Sequence, residues 1–300
     1  MPILRAGRSP STDGREATWV GGKFEQTLYV VEAEDVAGSS ETPSEIAPER
    51  WRLDALEGLA GFLERNRQAV FFFRQLEVIH EDHWFHWVTN RAIRDLIADG
   101  LARTEQRQLA NGSPIHLVWH RSYRYYRRDA SRLVELVNEY AAPNIGAALG
   151  LQGELLVLEG IARHEFVMRG RNTRQAGGRV WTRSEHDLDF VFEADGIGYG
   201  VEVKNTLGYM DHDELQIKSE LCQHLGLRPL FVARMLPRSW IHEVNLAGGF
   251  ALVLKYQLYP WAHRDLAKRV RTELLLPVDS PRALEQGTTE RFLRWHREHR

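Results

Sequence analysis

The feature that most constrains this 300-residue chain is the stretch 187–205, DLDFVFEADGIGYGVEVKN. Two runs that alternate apolar residues with other residues flank the dipeptide Asp195-Gly196. An Asp-Gly pair between two alternating runs predicts a tight β-hairpin. The stretch is therefore expected to form two adjacent strands.

The hairpin gathers charged side chains on one face of the sheet. Residues two apart share a strand face, so Glu202 and Lys204 point the same way. Val201 and Val203 fill the opposite face, and the hairpin brings Asp189 across from the charged pair. Two acids and a lysine on a half-buried face are costly unless they bind something. A divalent cation is the simplest ligand for them.

This arrangement resembles the PD-(D/E)xK nuclease superfamily, which includes restriction endonucleases and Holliday junction resolvases. Asp189 matches the first acid of the family pattern, and Glu202-Val203-Lys204 matches its Glu-x-Lys; Leu188 stands where the family name has proline. The resemblance implies that Mg²⁺, or Mn²⁺ in its place, binds Asp189, Glu202 and the carbonyl of Val203. Lys204 would then lie beside the attacking water or the scissile phosphate. The alternative is a salt bridge between Glu202 and Lys204, which leaves Asp189 unexplained.

A predicted amphipathic helix precedes the hairpin, at residues 153–162. The resemblance implies that a glutamate early in this helix joins the metal site, with Glu154 as the first choice and Glu159 as the second. For either residue the alternative is an exposed acid on the helix surface. A polar loop is expected between this helix and the strand that carries Asp189.

Helices and strands alternate after the hairpin. The sequence predicts a helix over 211–226, a strand over 229–234, a helix over about 239–247 and a strand over 250–254. This order predicts an α/β fold, and it resembles the restriction-endonuclease-like mixed sheet flanked by helices. Gln216 resembles a glutamine that some subfamilies use near the metal or phosphate, and a surface glutamine is the alternative. Lys218 is interpreted as a helix surface residue rather than a phosphate contact.

A second module is expected upstream, over residues 49–128. Helices are predicted over 51–68, 70–79 and 89–101, the last with Thr89 as N-cap and Gly100 at its end, followed by strands over 102–109 and 115–123 around an Asn111-Gly112 turn. Three helices and a hairpin resemble a winged helix-turn-helix domain. The resemblance implies that Asn90, Arg91 and Arg94 of the third helix face a DNA groove. A protein-interaction module is the alternative.

The net charge of −2 gives no bulk attraction to nucleic acid, but the arginines are unevenly distributed. One arginine-rich tract, which includes Arg121, Arg124 and Arg127, interleaves these residues with aromatic ones. This pattern suits phosphate contact and base stacking. A second tract includes Arg171 and Arg174, and all five arginines are candidate DNA contacts.

Three histidines, His80, His83 and His86, recur at three-residue spacing and could ligate zinc if the segment were helical. A capped turn with surface histidines is the favoured interpretation, with Trp84, Phe85 and Trp87 as core anchors. The single cysteine, Cys222, excludes an intramolecular disulfide and is expected to be buried.

Other segments complete the expected organisation. Residues 1–48 are read as an N-terminal segment and linker with one strand over 24–31, residues 129–149 as a connecting helix and linker, 150–278 as the nuclease domain and 279–300 as a C-terminal helix. The chain shows no signal-peptide core and no uninterrupted apolar run of membrane-spanning length, so a cytoplasmic location without membrane association is expected.

These features together predict a Mg²⁺-dependent DNA endonuclease, with double-stranded or branched DNA as its partner and a homodimer where both strands are cut. Two alternatives remain open. One is a non-cleaving DNA-binding regulator on a nuclease-fold scaffold, and the other is a structure-selective or RNA-directed nuclease.

Overall fold

The computed structural model describes residues 48–300. The predicted strand over 24–31 and the predicted linker before residue 48 lie outside the described residues. The described chain divides into two compact units, one comprising 48–107 and 114–131, the other 108–113 and 132–300.

Helices and short strands follow one another through the first unit. They are α1 (Pro48–Arg65), β1 (Val70–Phe72), α2 (Phe73–Ile79), α3 (His86–Ala98), β2 (Ala102–Gln108) and β3 (Pro114–His120). The strand order is β1-β3-β2, with β1 antiparallel to β3. Leu59 of α1, Leu76 of α2 and Ile93 of α3 meet in one buried core.

Two predictions for this unit were wrong in detail. Residues 70–72 form a strand rather than the start of a helix, because they pair with β3. Helix α3 begins at His86, so Thr89 is a buried residue inside it and the N-cap is Phe85. The apolar stripe already includes Val88, one turn before Ala92, so the helix has to start earlier than the threonine suggests. The predicted stop is confirmed, since Gly100 follows α3 with a φ of 69°.

The second unit contains the remaining elements. They are α4 (Tyr126–Tyr140, which begins in the first unit), α5 (Pro143–Ala162), β4 (Val167–Thr173), β5 (Gln175–Ala176), β6 (Arg179–Val180), β7 (Leu188–Ala194), β8 (Ile197–Lys204), α6 (His212–Leu225), β9 (Arg228–Ala233), α7 (Arg238–Leu246), β10 (Phe250–Val253), β11 (Gln257–Leu258), α8 (Arg264–Glu273), β12 (Val278–Asp279) and α9 (Gln286–His299).

A mixed sheet with helices on both faces forms the centre of this unit, as the α/β prediction expects. Its order is β10-β9-β8-β7-β4. The pairs β4–β7 and β7–β8 are antiparallel, whereas β8–β9 and β9–β10 are parallel. The predicted hairpin is confirmed: β7 and β8 meet at a turn in which Asp195 has a φ of 51° and Gly196 a φ of 74°. Positive φ at both central residues is the geometry that favours glycine and aspartate there.

The two sheet faces bury different groups. Val201 and Val203 pack with residues of α5 and α9 on one face, where Phe292 of α9 is almost fully buried. The C-terminal helix therefore packs on this core. On the other face, Val191 of β7 packs against Leu221 and Cys222 of α6, and Cys222 is buried as predicted.

Two predictions upstream of the hairpin were wrong. Helix α5 begins at Pro143 rather than Gly153, so residues expected to connect two modules form its first turns. Proline is tolerated at the first helical position, where its missing N–H has no partner to lose. The expected polar loop also contains β4, an edge strand of the main sheet.

Among the described residues, helix α5 is long and apolar enough to cross a membrane. Leu156, Val157 and Ile161 of this helix are buried in the core of the unit. The core helix of a globular unit can be equally long and apolar, so this composition is weak evidence for a membrane span.

Candidate metal and phosphate site

Helix α6 lies over β8 so that its side chains meet those of the strand at regular intervals. Two residues of a strand advance about 6.6 Å and four residues of a helix about 6 Å, so such contacts can repeat in step. Three of them do, at Gly200 with Cys222, Glu202 with Lys218, and Lys204 with Glu214. At the first of these the helix comes close to the strand backbone, since a Cβ on Gly200 would lie 2.5 Å from the Cys222 sulfur.

Asp189 lies opposite Glu202 on this α6-facing side. Strand register pairs Phe190 with Val201, which sets the preceding Asp189 across from Glu202. The Val203 N–H donates to Asp189 Oδ2 at 2.7 Å and fixes the carboxyl group. Burial, followed by the charge of Glu202, raises the pKa of Asp189 to about 7, although the hydrogen bond from Val203 opposes this shift.

Glu202 is buried, with 3% of the residue exposed. Each of its carboxylate oxygens meets an ammonium group: Lys204 Nζ lies 3.2 Å from Oε1 and Lys218 Nζ lies 2.5 Å from Oε2. A buried carboxylate needs such compensation, because an unpaired charge inside a protein is strongly disfavoured.

Lys204 is held between two carboxylates. Its Nζ also lies 2.8 Å from Oε1 of Glu214. Burial alone would lower the pKa of Lys204, but the Glu214 hydrogen bond and the charge of Glu202 outweigh burial and raise it. Lys204 is therefore a fixed positive charge at neutral pH.

The two candidate acids of α5, Glu154 and Glu159, lie further from this cluster. Glu154 Oε2 accepts from Arg171 Nη2 at 3.1 Å, and the charge of Glu154 is among those that raise the pKa of Asp189. Glu154 is thus within electrostatic reach of Asp189 but is paired with an arginine. Glu159 is exposed and pairs with Arg163.

The residues of α6 differ in their placement. Gln216 is exposed, on the side of the helix away from Glu214 and Lys218. Lys218 is buried, with 5% of the residue exposed, so its interpretation as a surface residue was wrong. The sequence carried a signal for this: Lys218, Leu221, Cys222 and Leu225 follow the i, i+3, i+4, i+7 spacing of a buried helix stripe. Glu214, one turn before Lys218, was not anticipated.

The donor set suits a small hard cation. Among residues 48–300 there is no group of three or more His, Cys, Asp or Glu side chains arranged to hold a metal. Mg²⁺ does not need one, because it keeps several waters and takes one or two carboxylates. Asp189 Oδ1, an oxygen of Glu202 and the Val203 carbonyl are the oxygens that the chain offers. At Asp189, burial and the charge of Glu202 outweigh the favourable charge of Lys218 and raise the pKa, so a cation bound there would stabilise the ionised carboxylate.

The residues predicted to face a DNA groove are partly engaged within the first unit. Asn90 donates to Glu77 Oε1 at 2.7 Å, and Arg94 Nε donates to Asn90 Oδ1 at 2.9 Å. Arg91 is exposed.

The aromatic residues of the tract at 119–128 mostly serve the fold. Trp119 and Tyr126 stack at 3.9 Å between centroids, and Tyr123 donates to Asp129. Tyr125 is different, with 85% of the residue exposed. Three exposed arginines surround it in sequence and form no ion pair with a described residue: Arg121, Arg124 and Arg127. In the second tract, Arg171 and Arg174 pair with Glu154 and Glu185.

The three histidines do not converge on a metal site in the described part of the chain. The segment is a turn, as predicted, but the surface interpretation was wrong for two of them. His86 is buried, and burial, followed by the charge of His83, lowers the pKa of His80 to about 4. Trp87 is 61% exposed, so its interpretation as a core anchor was also wrong.

Comparisons with known proteins add little to this geometry. No family model matches the chain, and no curated protein matches it. Among solved structures, protein VC1899 from Vibrio cholerae is similar at 15% identity and a TM-score of 0.26, over 84% of this chain and 55% of that one. This chain therefore spans about half the length of that protein.

Proposed function

We propose that this chain is a divalent-metal-dependent endonuclease that hydrolyses phosphodiester bonds in DNA. The observation that carries the proposal is the meeting of Asp189, Glu202 and Lys204 on one sheet face. A buried cluster of this kind, with a carboxyl pKa raised to about 7, is typical of a functional site.

Asp189 and Glu202 would hold the metal, with the Val203 carbonyl as a further oxygen ligand. When bound, the metal polarises the phosphate and makes a nucleophile of its water. Glu154 belongs at the edge of the site, where its charge acts on Asp189 at longer range. Gln216 would contribute to metal or phosphate binding only if α6 moved or if the substrate reached the exposed side of the helix.

The chain's own residues set the geometry for an incoming phosphate. The Val203 N–H orients the Asp189 carboxyl, and Glu214 together with Glu202 holds the Lys204 ammonium in place. Lys204 then offers a positioned charge to the phosphate oxygens, on which negative charge grows during hydrolysis. Because the lysine is already held, little reorganisation is needed when the substrate arrives.

The element orders of both units support this proposal. In the second unit, a helix, a three-stranded antiparallel segment and alternating helices and parallel strands follow the order of the PD-(D/E)xK core. In the first unit, three helices and a hairpin that adds to β1 follow the order of a winged helix-turn-helix domain.

DNA contact is best supported at Arg121, Arg124, Tyr125 and Arg127. Guanidinium groups without carboxylate partners are available to phosphates, and an exposed tyrosine ring can stack on a base. Arg91 is a further candidate on α3, whereas Asn90 and Arg94 would first have to leave the contacts that they make within the unit. Arg171 and Arg174 would likewise have to exchange a carboxylate for a phosphate.

A non-cleaving DNA-binding regulator is the second candidate. One observation favours it: both oxygens of Glu202 already meet ammonium groups, as in a structural ion-pair network. The two candidates differ in whether bound DNA is cleaved when a divalent metal ion is present.

The test is incubation of the protein with supercoiled plasmid, linear duplex, a four-way junction, single-stranded DNA and RNA. Each is combined with Mg²⁺, with Mn²⁺ or with chelator, and the variant Glu202→Gln runs alongside. We expect metal-dependent cleavage of at least one DNA form that the variant loses. Cleavage of junctions or RNA alone would select the structure-selective or RNA-directed alternative, and a double-strand cut would support a homodimer. Binding without cleavage under every condition would favour the regulator.

A further inference from the structure

Lys218 is the more enclosed of the two lysines at the candidate site. Its side chain is 6% exposed, against 30% for that of Lys204. The Lys218 contact with Glu202 is also the shorter of the two, at 2.5 Å compared with 3.2 Å. Packing between α6 and β8 therefore places this ammonium group in close contact with Glu202.

Lys218 has a second partner, Asp187, immediately before β7. Its Nζ donates to the carbonyl oxygen of Asp187 at 2.5 Å. Asp187 lies two residues before Asp189. The Lys218 ammonium group therefore connects the residue that precedes β7 with Glu202 on β8. If the contact with Glu202 were lost, Lys218 would retain a hydrogen-bond acceptor.

A metal ion and this ammonium would compete for the same carboxylate. An oxygen that accepts a hydrogen bond from Lys218 at 2.5 Å cannot also bind a metal from the same side. The two positive charges would repel each other strongly at such short range, because the site is largely screened from water.

We infer that Lys218 is a built-in counter-ion of Glu202 that a divalent cation displaces from the carboxylate on binding. Lys218 then neutralises Glu202 in the metal-free chain and lowers the metal affinity of the site. This inference rests on the nuclease proposed above, and it adds a residue that regulates that same site.

The first test measures Mn²⁺ binding without DNA, by the electron paramagnetic resonance signal of free Mn²⁺. Wild type is compared with Lys218→Met, which keeps the length of the side chain but removes the charge, and with Lys218→Arg, which keeps the charge. Lys268→Met, on an exposed residue of α8, controls for the loss of one lysine. We expect Mn²⁺ to bind Lys218→Met about tenfold or more tightly than wild type. Both other variants should remain close to wild type.

The second test uses wild-type protein, so that it does not depend on how a variant folds. The chain has five lysines, which makes their ¹³Cε resonances easy to separate. Titration with Mg²⁺ should shift the Lys218 resonance in step with metal binding and leave that of Lys268 in place. A Lys218 resonance that stays fixed while metal binds would overturn the inference.

The outcomes separate this inference from the proposed function. If folded wild type and Lys218→Met bind Mn²⁺ equally, Lys218 is only a structural partner of Glu202, and the nuclease proposal is unaffected. If Lys218→Met binds more weakly, the inference is wrong in sign. If neither protein binds Mn²⁺ at millimolar concentration, the metal site itself is refuted and the proposed function with it.

Discussion

Asp189 shows how the fold controls the charge of a single residue. Its carboxyl accepts one backbone N–H, yet burial and the nearby Glu202 raise its pKa to about 7. Ionised Asp189 therefore destabilises the metal-free fold at neutral pH, and a bound cation would relieve this cost. A carboxylate of this kind is better suited to binding a cation than to stabilising the metal-free fold.

The pH dependence of stability should reveal this cost. The pKa of Asp189 in the folded chain, about 7, lies above the ordinary aspartate value of 3.8, so the unfolded chain holds fewer protons between these values. The free energy of unfolding of metal-free wild type should fall as pH rises through this window, by about 4 kcal/mol from this group. Asp189→Asn removes the group, so its stability relative to wild type should rise from about pH 4 to about pH 7.

Urea denaturation of both proteins in chelator measures this difference, and Asp195→Asn is the matched control. Hydrogen bonds from Arg300 and His296 lower the pKa of Asp195, so its contribution has the opposite sign and is lost as pH falls. Parallel stability curves for wild type and Asp189→Asn would refute a raised pKa.

Lys204 and Gln216 should differ sharply in their effect on cleavage. Lys204 lies against Glu202, whereas Gln216 is exposed on the far side of α6. We expect Lys204→Met to slow single-turnover cleavage by about 100-fold or more, the usual effect of removing a transition-state contact. Gln216→Ala should cleave at close to the wild-type rate. Equal loss in the two variants would contradict this placement of the site.

At the scale of elements, the contact between α6 and β8 fixes the site. The helix comes close to the strand backbone at Gly200, where a Cβ would lie 2.5 Å from the Cys222 sulfur and 2.8 Å from Leu188 Cδ1. One helical turn away, the same packing brings Lys218 to Glu202. A larger distance between α6 and β8 at Gly200 should therefore also weaken the contact between Lys218 and Glu202.

Gly200→Ala tests this coupling. We expect a loss of about 1–3 kcal/mol in the free energy of unfolding, the usual cost of overpacking. Gly146→Ala on α5 is the matched control, because a Cβ there meets nothing within 4 Å. The control should be neutral or stabilising by up to about 1 kcal/mol. Similar losses in the two variants would show that the close approach at Gly200 does not matter.

The sequence predicted those elements whose signals are local. The Asp195-Gly196 turn and the alternation around it were enough for the hairpin. The helix of α6 was also predictable, because Asp211 caps its start and Gly226 ends it with a φ of 74°. Lys218 was missed because its charge suggests a surface residue, although its place in the stripe with Leu221, Cys222 and Leu225 indicated that it is buried. The start of α5 and the edge strand β4 depend on packing and pairing with distant residues.

For the whole molecule, a net charge of −2 means that any affinity for DNA has to come from local surfaces. The segment with Arg121, Arg124 and Arg127 is the best candidate, because these exposed arginines form no ion pair with another described residue. Replacing all three by alanine should weaken duplex binding. It should also reduce the slope of log affinity against log salt by about 2–3.

Fluorescence anisotropy over a range of salt concentrations measures this slope. The double variant Arg269→Ala with Arg271→Ala is the control, since both residues are paired with acids, Glu139 and Asp279. We expect the control to keep the wild-type slope. An unchanged slope in the triple variant would place DNA binding elsewhere on the molecule.

The most direct test of the central claim is a crystal structure of the protein with Mn²⁺, with the metal located by its anomalous signal. We predict a peak between Asp189 and Glu202, within about 2.2 Å of a carboxylate oxygen of each. The Lys218 ammonium should have moved away from Glu202 while it keeps its hydrogen bond to the Asp187 carbonyl. A protein saturated with Mn²⁺ that shows its only peak away from this sheet face would contradict the account.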